Sequence, residues 1–124
     1  MYFTSQDVRE QGIVSVMQQC MSHVDPESNR QFHLSFDIDA LDPSIAPATG
    51  TAVPHGLTLA EGQYICEHLA KTERLRCVDL VEVNPLLSDE QGVKDTVDAA
   101  ISLIEHCTGK QSNHTFGEAK KKHG

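Results

Sequence analysis

The 124-residue chain lacks the features that mark several common classes of protein. No stretch approaches the roughly 20 apolar residues that a membrane-spanning helix needs. The N-terminus has no basic segment followed by an apolar run, so it predicts no secretory signal. Acidic residues outnumber basic ones, and the formal charge of −8 disfavours nucleic acid or an anionic membrane as a partner. We therefore expect a cytoplasmic protein, or a mitochondrial one if an upstream targeting segment exists.

The four cysteines do not form a recognisable pair. They stand far apart, with no Cys-x-x-Cys motif, at Cys20, Cys66, Cys77 and Cys107. This spacing argues against a zinc knuckle and against a dithiol redox motif. We expect reduced, mostly buried thiols in an intracellular protein.

The most informative stretch is a short apolar segment that runs into acidic residues. Phe32 to Asp37 is typical of a buried strand, and Pro43 requires the strand to end before it. Because successive side chains alternate faces, Asp37 and Asp39 point the same way. Adjacent carboxylates repel each other unless a cation, a proton or a donor separates them, and ligands bind at the carboxyl ends of parallel strands. Asp37 and Asp39 are therefore candidate ligands of a divalent metal.

The residues of the acidic turn are compatible with other interpretations. Asp-rich turns that end in Asp-Pro are common without a metal. A calcium-binding EF-hand is excluded, because Leu41, Asp42 and Ala48 stand where a ligand, a glycine and a glutamate are needed. A manganese-dependent glycosyltransferase, which also uses Asp-x-Asp, stays open on these residues alone.

The rest of the sequence alternates between helical and strand patterns. Apolar residues predict a helix from Thr4 to about Met21, with four of them on its buried side: Val8, Ile13, Val16 and Met17. A long loop over residues 40–57 precedes a capping box, Thr58–Glu61, that opens a helix to about Thr72. A second strand is expected over Leu75 to Val83.

A third helix is predicted to open with a second capping box at Ser88–Gln91 and to end before Gly109. Its buried side is expected to carry Val93, Val97, Ala100, Ile101 and Ile104. The strand–helix–strand order predicts a parallel pair of strands. Parallel sheets are normally covered on both faces, and two strands alone leave two unpaired edges, so we expect a piece of a larger sheet.

Three strings carry a family resemblance: SFDIDALDPSIAPATGT, EGQYI and LVEVNP. Together they closely resemble the C-terminal portion of the arginases, which belong to the ureohydrolase family with agmatinases and formiminoglutamases. The resemblance covers residues 1–108 and leaves 109–124 as a polar, disordered tail. It implies a three-layer α/β/α fold with a parallel sheet. It also implies hydrolysis of L-arginine to L-ornithine and urea at a site with two Mn²⁺ ions.

The resemblance assigns roles to four residues of this chain. Asp39 matches a ligand of one Mn²⁺ ion, and Asp37 matches the ligand that bridges both. Glu82 matches the carboxylate that holds the substrate guanidinium, and Thr51 matches a loop hydroxyl near the substrate. Ala48-Thr49-Gly50 and Glu82 to Pro85 favour an arginase over an agmatinase.

Several family motifs do not occur in these 124 residues. The Gly-Asp-His segment, the Asp-Ala-His-x-Asp segment and the family's catalytic histidine are absent, so no catalytic residue is assigned. We therefore expect a chain that supplies part of the site and is inactive alone. The alternatives are an agmatinase or another ureohydrolase, and a non-catalytic truncated or spliced form that acts only by docking on a partner.

The resemblance also bears on assembly and on two histidines. It implies a homotrimer for the full-length relatives. Ala60 stands where arginases often carry an arginine that joins subunits, so we do not expect this chain to trimerise by that route. His55 stands where many arginases have glycine and is expected to lie in a loop, whereas His33 is expected to be packed within the first strand.

Overall fold

The computed structural model of the chain describes residues 1–117. The chain forms two compact units, one of Met1–Arg30 with the segment that begins at Asn113, the other of Gln31–Ser112. The predicted disordered tail, 109–124, lies partly outside the described residues, at 118–124. Within its described part, the amide of Ser112 donates to the Glu67 carboxylate over 3.1 Å. Disorder of the tail stays a prediction.

The first unit contains two helices where a single one was predicted. Helix α1 spans Ser5–Gln11 and helix α2 spans Ile13–Val24. Gly12, at φ +81°, separates them, because glycine without a Cβ readily adopts this left-handed conformation. Thr4 caps α1 in a reciprocal pair with Asp7. The four predicted apolar residues are all buried: Val8, Ile13, Val16 and Met17.

The second unit has the predicted strand–helix–strand–helix order. Strand β1 spans Phe32–Asp37, helix α3 spans Leu59–Lys71, strand β2 spans Leu75–Val81 and helix α4 spans Glu90–Cys107. The strands pair in parallel, as predicted, with Asp37 of β1 opposite Val81 of β2. Two short 3₁₀ helices follow the strands, at Ile38–Ala40 and Pro85–Leu87. Strand β2 ends two residues before the predicted boundary.

The core of this unit lies between β1, the start of the long loop, α3 and α4. Its buried members are Phe36, Ile38, Leu41, Ala46, Cys66, Ala99, Ala100 and Leu103. The predicted capping box of α3 is present, since Thr58 Oγ1 accepts from the Glu61 amide over 3.1 Å and Glu61 accepts from the Thr58 amide over 2.8 Å. Gly62 lets α3 approach closely, because a Cβ there would lie 3.0 Å from Cδ2 of Leu103.

The buried side of α4 differs from the predicted one. Thr96, Ala99, Ala100, Leu103 and His106 are buried, whereas Val97, Ile101 and Ile104 are exposed. The helix carries apolar residues on two sides, and the side with Ala99, Ala100 and Leu103 packs against the rest of the unit. The N-cap is Asp89, which accepts from the Gly92 amide over 2.8 Å, rather than Ser88. Gly109, at φ +112°, follows the end of α4 as predicted.

The two faces of the sheet have different surroundings. On one face Phe36 is buried, and Leu34 and Leu80 pack against the core. On the other face His33, Ser35, Cys77 and Asp79 are exposed. Within residues 1–117 His33 is therefore exposed, and the prediction of a packed His33 is wrong for these residues.

The thiols are less buried than predicted. All four are free, but only Cys66 is buried; Cys20 and Cys107 are half-buried and Cys77 is exposed. None of the helices within residues 1–117 has the length and apolarity to cross a membrane.

Candidate functional site

Asp37 and Asp39 lie close together at the carboxyl end of β1. Asp37 is the last residue of β1, and Asp39 lies in the 3₁₀ helix that follows. The Asp37 side chain caps that helix, because its Oδ1 accepts from the Asp39 amide over 3.0 Å. This contact fixes the Asp37 carboxylate beside the backbone of Asp39.

Glu82 reaches the same edge from the neighbouring strand. It directly follows β2, whose last residue, Val81, pairs with Asp37. Its backbone is left-handed, at φ +70°. Such a conformation is uncommon for a residue with a side chain, and strained residues cluster at functional sites.

Asp37 and Glu82 both act on the Asp39 carboxyl. Partial burial, hydrogen bonding with Asp37 and the negative charges of Asp37 and Glu82 all raise the pKa of the Asp39 carboxyl. The structure therefore brings together three of the four predicted site residues. A carboxyl whose pKa is raised by neighbouring carboxylates marks a candidate functional site.

The loop after the site is held by a fourth acidic residue. Asp42 accepts hydrogen bonds from the hydroxyl and amide of Ser44, over 2.7 and 3.0 Å, and from the His55 amide, over 2.8 Å. These bonds lower the pKa of the Asp42 carboxyl. Gly56 is required at the close approach of the loop to itself, because a Cβ there would lie 2.7 Å from the Asp42 amide nitrogen. Asp42 thus holds together the two ends of loop segment 42–55.

His55 lies in this loop as predicted and is exposed. Its φ of +69° is in the left-handed region, which glycine adopts without steric cost. This backbone conformation explains why a glycine suits the position.

The middle of the loop is docked on the segment after β2 and on α4. The amide of Ala48 donates to Thr96 Oγ1 over 3.0 Å, and the carbonyl of Ala48 accepts from the Asn84 amide over 2.9 Å. Thr49 is buried, and its hydroxyl has no hydrogen-bond partner among the described residues. Thr51 follows on an exposed stretch, so its predicted role near the substrate rests on the resemblance alone.

Sequence reasoning missed two supports of the site: the turn held by Asp42 and the hydrogen bond from the Ala48 amide to the Thr96 hydroxyl. The Asp-Pro-Ser sequence at residues 42–44 is a signal for the Asp42 turn. No local signal marks Thr96, which lies 48 positions from Ala48 in the chain.

A surface groove of about 390 Å³ lies elsewhere on this unit, along β2 and the end of α4. None of the three carboxylates lines it. The groove is lined by Leu75, Arg76, Cys77, Val78, Leu80, Ile104, Cys107 and Thr108.

A family comparison matches nearly the whole chain. The family model described as "Arginase family" matches residues 1–109. The chain belongs to the arginase family. The prediction made from the three sequence strings is thereby confirmed.

Curated arginases are similar over most of this chain. The arginase of Schizosaccharomyces pombe is 49% identical over 108 residues, which are 87% of this chain and 33% of that protein. Arginase-1 of Mus musculus is 44% identical over 119 residues, which are 94% of this chain and 37% of that protein. The chain thus spans about a third of the length of these relatives.

Solved structures of the family share the fold. Arginase from Bacillus caldovelox superposes with a TM-score of 0.78 at 33% identity, covering 88% of this chain and 35% of that one. Formimidoylglutamase from Bacillus subtilis gives a TM-score of 0.75 at 26% identity, covering 85% and 32%. The predicted α/β fold class of the ureohydrolases is confirmed.

Proposed function

We propose that this chain contributes the C-terminal portion of an arginase-type site that hydrolyses L-arginine to L-ornithine and urea. The observation that carries the proposal is the convergence of Asp37, Asp39 and Glu82 at the carboxyl end of two parallel strands. Family membership and the arginase relatives at 44–49% identity favour this reaction.

The donor atoms fit manganese. Carboxylate oxygens suit Mn²⁺, and the like charges that raise the pKa of Asp39 would be neutralised by a divalent cation. In this proposal Asp39 would help to hold one ion, and Asp37 would help to hold both. When bound, a metal pair supplies an activated water at near-neutral pH.

Glu82 is proposed to hold the substrate. A guanidinium is a planar cation whose N–H donors match the two oxygens of a carboxylate. The parallel register places Glu82 beside Asp37, so the guanidinium carbon would lie close to the metal ligands. Thr51 is proposed to supply a hydroxyl near the substrate from the docked loop. The reaction consumes one water and breaks the bond between the guanidinium carbon and the side-chain nitrogen that stays with ornithine.

The isolated chain is expected to release no urea. Two carboxylates without the family's histidine ligands leave most metal coordination positions to water, and the family's catalytic histidine is absent from these residues. Trimer formation by the subunit-joining arginine is not expected, because Ala60 occupies that position.

A chimera tests the proposal. Residues 1–109 replace the matching third of the S. pombe arginase, and urea release from L-arginine is measured with excess Mn²⁺. We expect an active chimera, and near-complete loss of activity on Asp39→Asn or Glu82→Gln. Asp98→Asn is the matched control, since Asp98 is an exposed carboxylate of α4 paired with Lys94.

Three results would contradict the proposal. A soluble, folded chimera without urea release from arginine or agmatine would favour the non-catalytic form that acts by docking. Activity that survives both Asp39→Asn and Glu82→Gln would remove these residues from the site. Preference for agmatine over L-arginine in the chimera would favour the agmatinase alternative.

A further inference from the structure

The buried hydroxyl of Thr96 joins helix α4 to the long loop. Thr96 is fully buried. Its Oγ1 donates to the carbonyl of Gly92 over 2.7 Å and accepts from the amide of Ala48 over 3.0 Å. A hydroxyl has one donor and two acceptor lone pairs, so Thr96 makes both bonds at once. Both bonds lie inside the second unit and use no part of its surface.

The connection continues from Ala48 to the candidate site. The carbonyl of Ala48 accepts from the amide of Asn84 over 2.9 Å. Asn84 lies two residues after Glu82, and Thr51 lies three residues after Ala48. The Ala48–Asn84 bond therefore joins the segment that carries Glu82 to the loop that carries Thr51.

The conformation of Glu82 requires support from its surroundings. Its φ of +70° is sterically disfavoured for a residue with a side chain, and such a residue keeps this conformation only where neighbouring structure imposes it. The bond from the Asn84 amide anchors the backbone shortly after Glu82. Gly92 lets the loop lie close against α4, because a Cβ there would lie 3.0 Å from Cγ of Pro47.

We propose that Thr96 is a positioning residue that acts through Ala48 and Asn84 to hold Glu82 in place for the substrate guanidinium. This inference rests on the proposed function, in which Glu82 binds that group. A carboxylate matches a guanidinium through two parallel hydrogen bonds, so a small displacement of its backbone weakens the match. Because the guanidinium is bound both before and during the reaction, the loss falls mainly on KM rather than on kcat.

The chimera with the S. pombe arginase provides the test, with urea release measured over a range of L-arginine concentrations. Thr96→Val keeps the shape of the side chain and removes both hydrogen bonds, whereas Thr96→Ser keeps the hydroxyl. We expect Thr96→Val to raise KM at least about tenfold with kcat within about threefold, and Thr96→Ser to stay close to the wild type. Thr108→Val is the matched control, because the exposed Thr108 hydroxyl donates to the Glu105 carbonyl at the end of α4. It should leave both parameters unchanged.

Gly92→Ala is a second variant that keeps the test decisive if Thr96→Val does not fold. Its Cβ would press on Pro47 and move the loop away from α4, while alanine favours the helix itself. The Thr96 hydroxyl is kept in this variant. We expect KM to rise with kcat nearly unchanged, and an unchanged KM would count against the positioning role.

The outcomes separate this inference from the proposed function. An active chimera whose KM is unchanged by Thr96→Val, or raised equally by Thr96→Ser, would refute the positioning role and leave the proposed function standing. A fall in kcat at unchanged KM would also refute it, because partial unfolding lowers the active fraction without changing the affinity of the folded molecules. A wild-type chimera without urea release would refute the proposed function, and this inference with it.

Discussion

The buried side of α4 can be tested with two adjacent residues. Leu103 is 1% exposed within the core, whereas Ile104 is 47% exposed, although the apolar spacing alone predicted a buried Ile104. We expect Leu103→Ala to destabilise the chain much more than Ile104→Ala does. The two substitutions remove the same number of carbon atoms, so each is the control for the other.

The expected loss in unfolding free energy for each substitution follows from how deeply the side chain is buried. Truncation of Leu103 removes three carbons, or roughly 2.4 kcal/mol of transfer free energy at about 0.8 kcal/mol per carbon. The cavity left among well-packed neighbours brings the loss in unfolding free energy to about 3–4 kcal/mol. Ile104 is about half in water already and leaves no closed cavity, so we expect a loss of about 1 kcal/mol.

Urea denaturation followed by far-ultraviolet circular dichroism measures both losses in the 124-residue chain. If the wild-type stability is below the expected loss, Leu103→Ala will show no folded baseline while Ile104→Ala keeps one. Equal losses, or a larger loss for Ile104→Ala, would refute the assignment of the buried side of α4.

Three further substitutions probe the site and its supports. Thr96→Val should cost about 1–3 kcal/mol of unfolding free energy, because it leaves the buried amide of Ala48 without its acceptor; Thr96→Ser should cost much less, and equal losses would contradict this role. Asp39→Asn should stabilise the metal-free chain at pH 7. The raised pKa of Asp39 means that its contribution to stability is full below the unfolded pKa, near pH 4, and is lost as pH rises through the folded pKa. Denaturation in EDTA across this pH range compares the unfolding free energy of Asp39→Asn with that of the wild type. A variant less stable than the wild type at pH 7 would contradict the prediction. Glu73→Gly should raise the melting temperature, since Glu73 is left-handed at φ +59° after α3 and relief of that conformation is worth up to about 1 kcal/mol; an unchanged or lower melting temperature would contradict it.

Features governed by local patterns could be predicted from the sequence. The bounds of β1 and the capping box of α3 depend on neighbouring residues, and both are as predicted. The parallel pairing followed from the order of the elements. The parallel pairing also brings Asp37 and Glu82 to one edge of the sheet, while the ligand and substrate roles of Asp37, Asp39 and Glu82 stay predictions.

The features that depend on packing were not predictable. Both apolar sides of α4 have helical spacing, and only contact with the rest of the unit decides that Leu103 rather than Ile104 is buried. Gly12 is compatible with a continuous helix at modest cost, yet it takes a left-handed conformation that divides the predicted helix. The proximity of His33 to Cys77 and Asp79 depends on the register in which β1 and β2 pair. The spacing of residues within one strand does not determine that register.

The parallel register has a consequence for the timing of synthesis. Phe32 pairs with Leu75, so the two partners are separated by about forty residues of chain that must be made first. At about 5–20 residues per second, β1 leaves the ribosome roughly 2–8 s before its partner strand does. During that delay α3 can form with its own capping box, but β1, whose apolar side carries Leu34 and Phe36, has no partner strand. The nascent chain therefore exposes this apolar side for longer than a hairpin of the same size would.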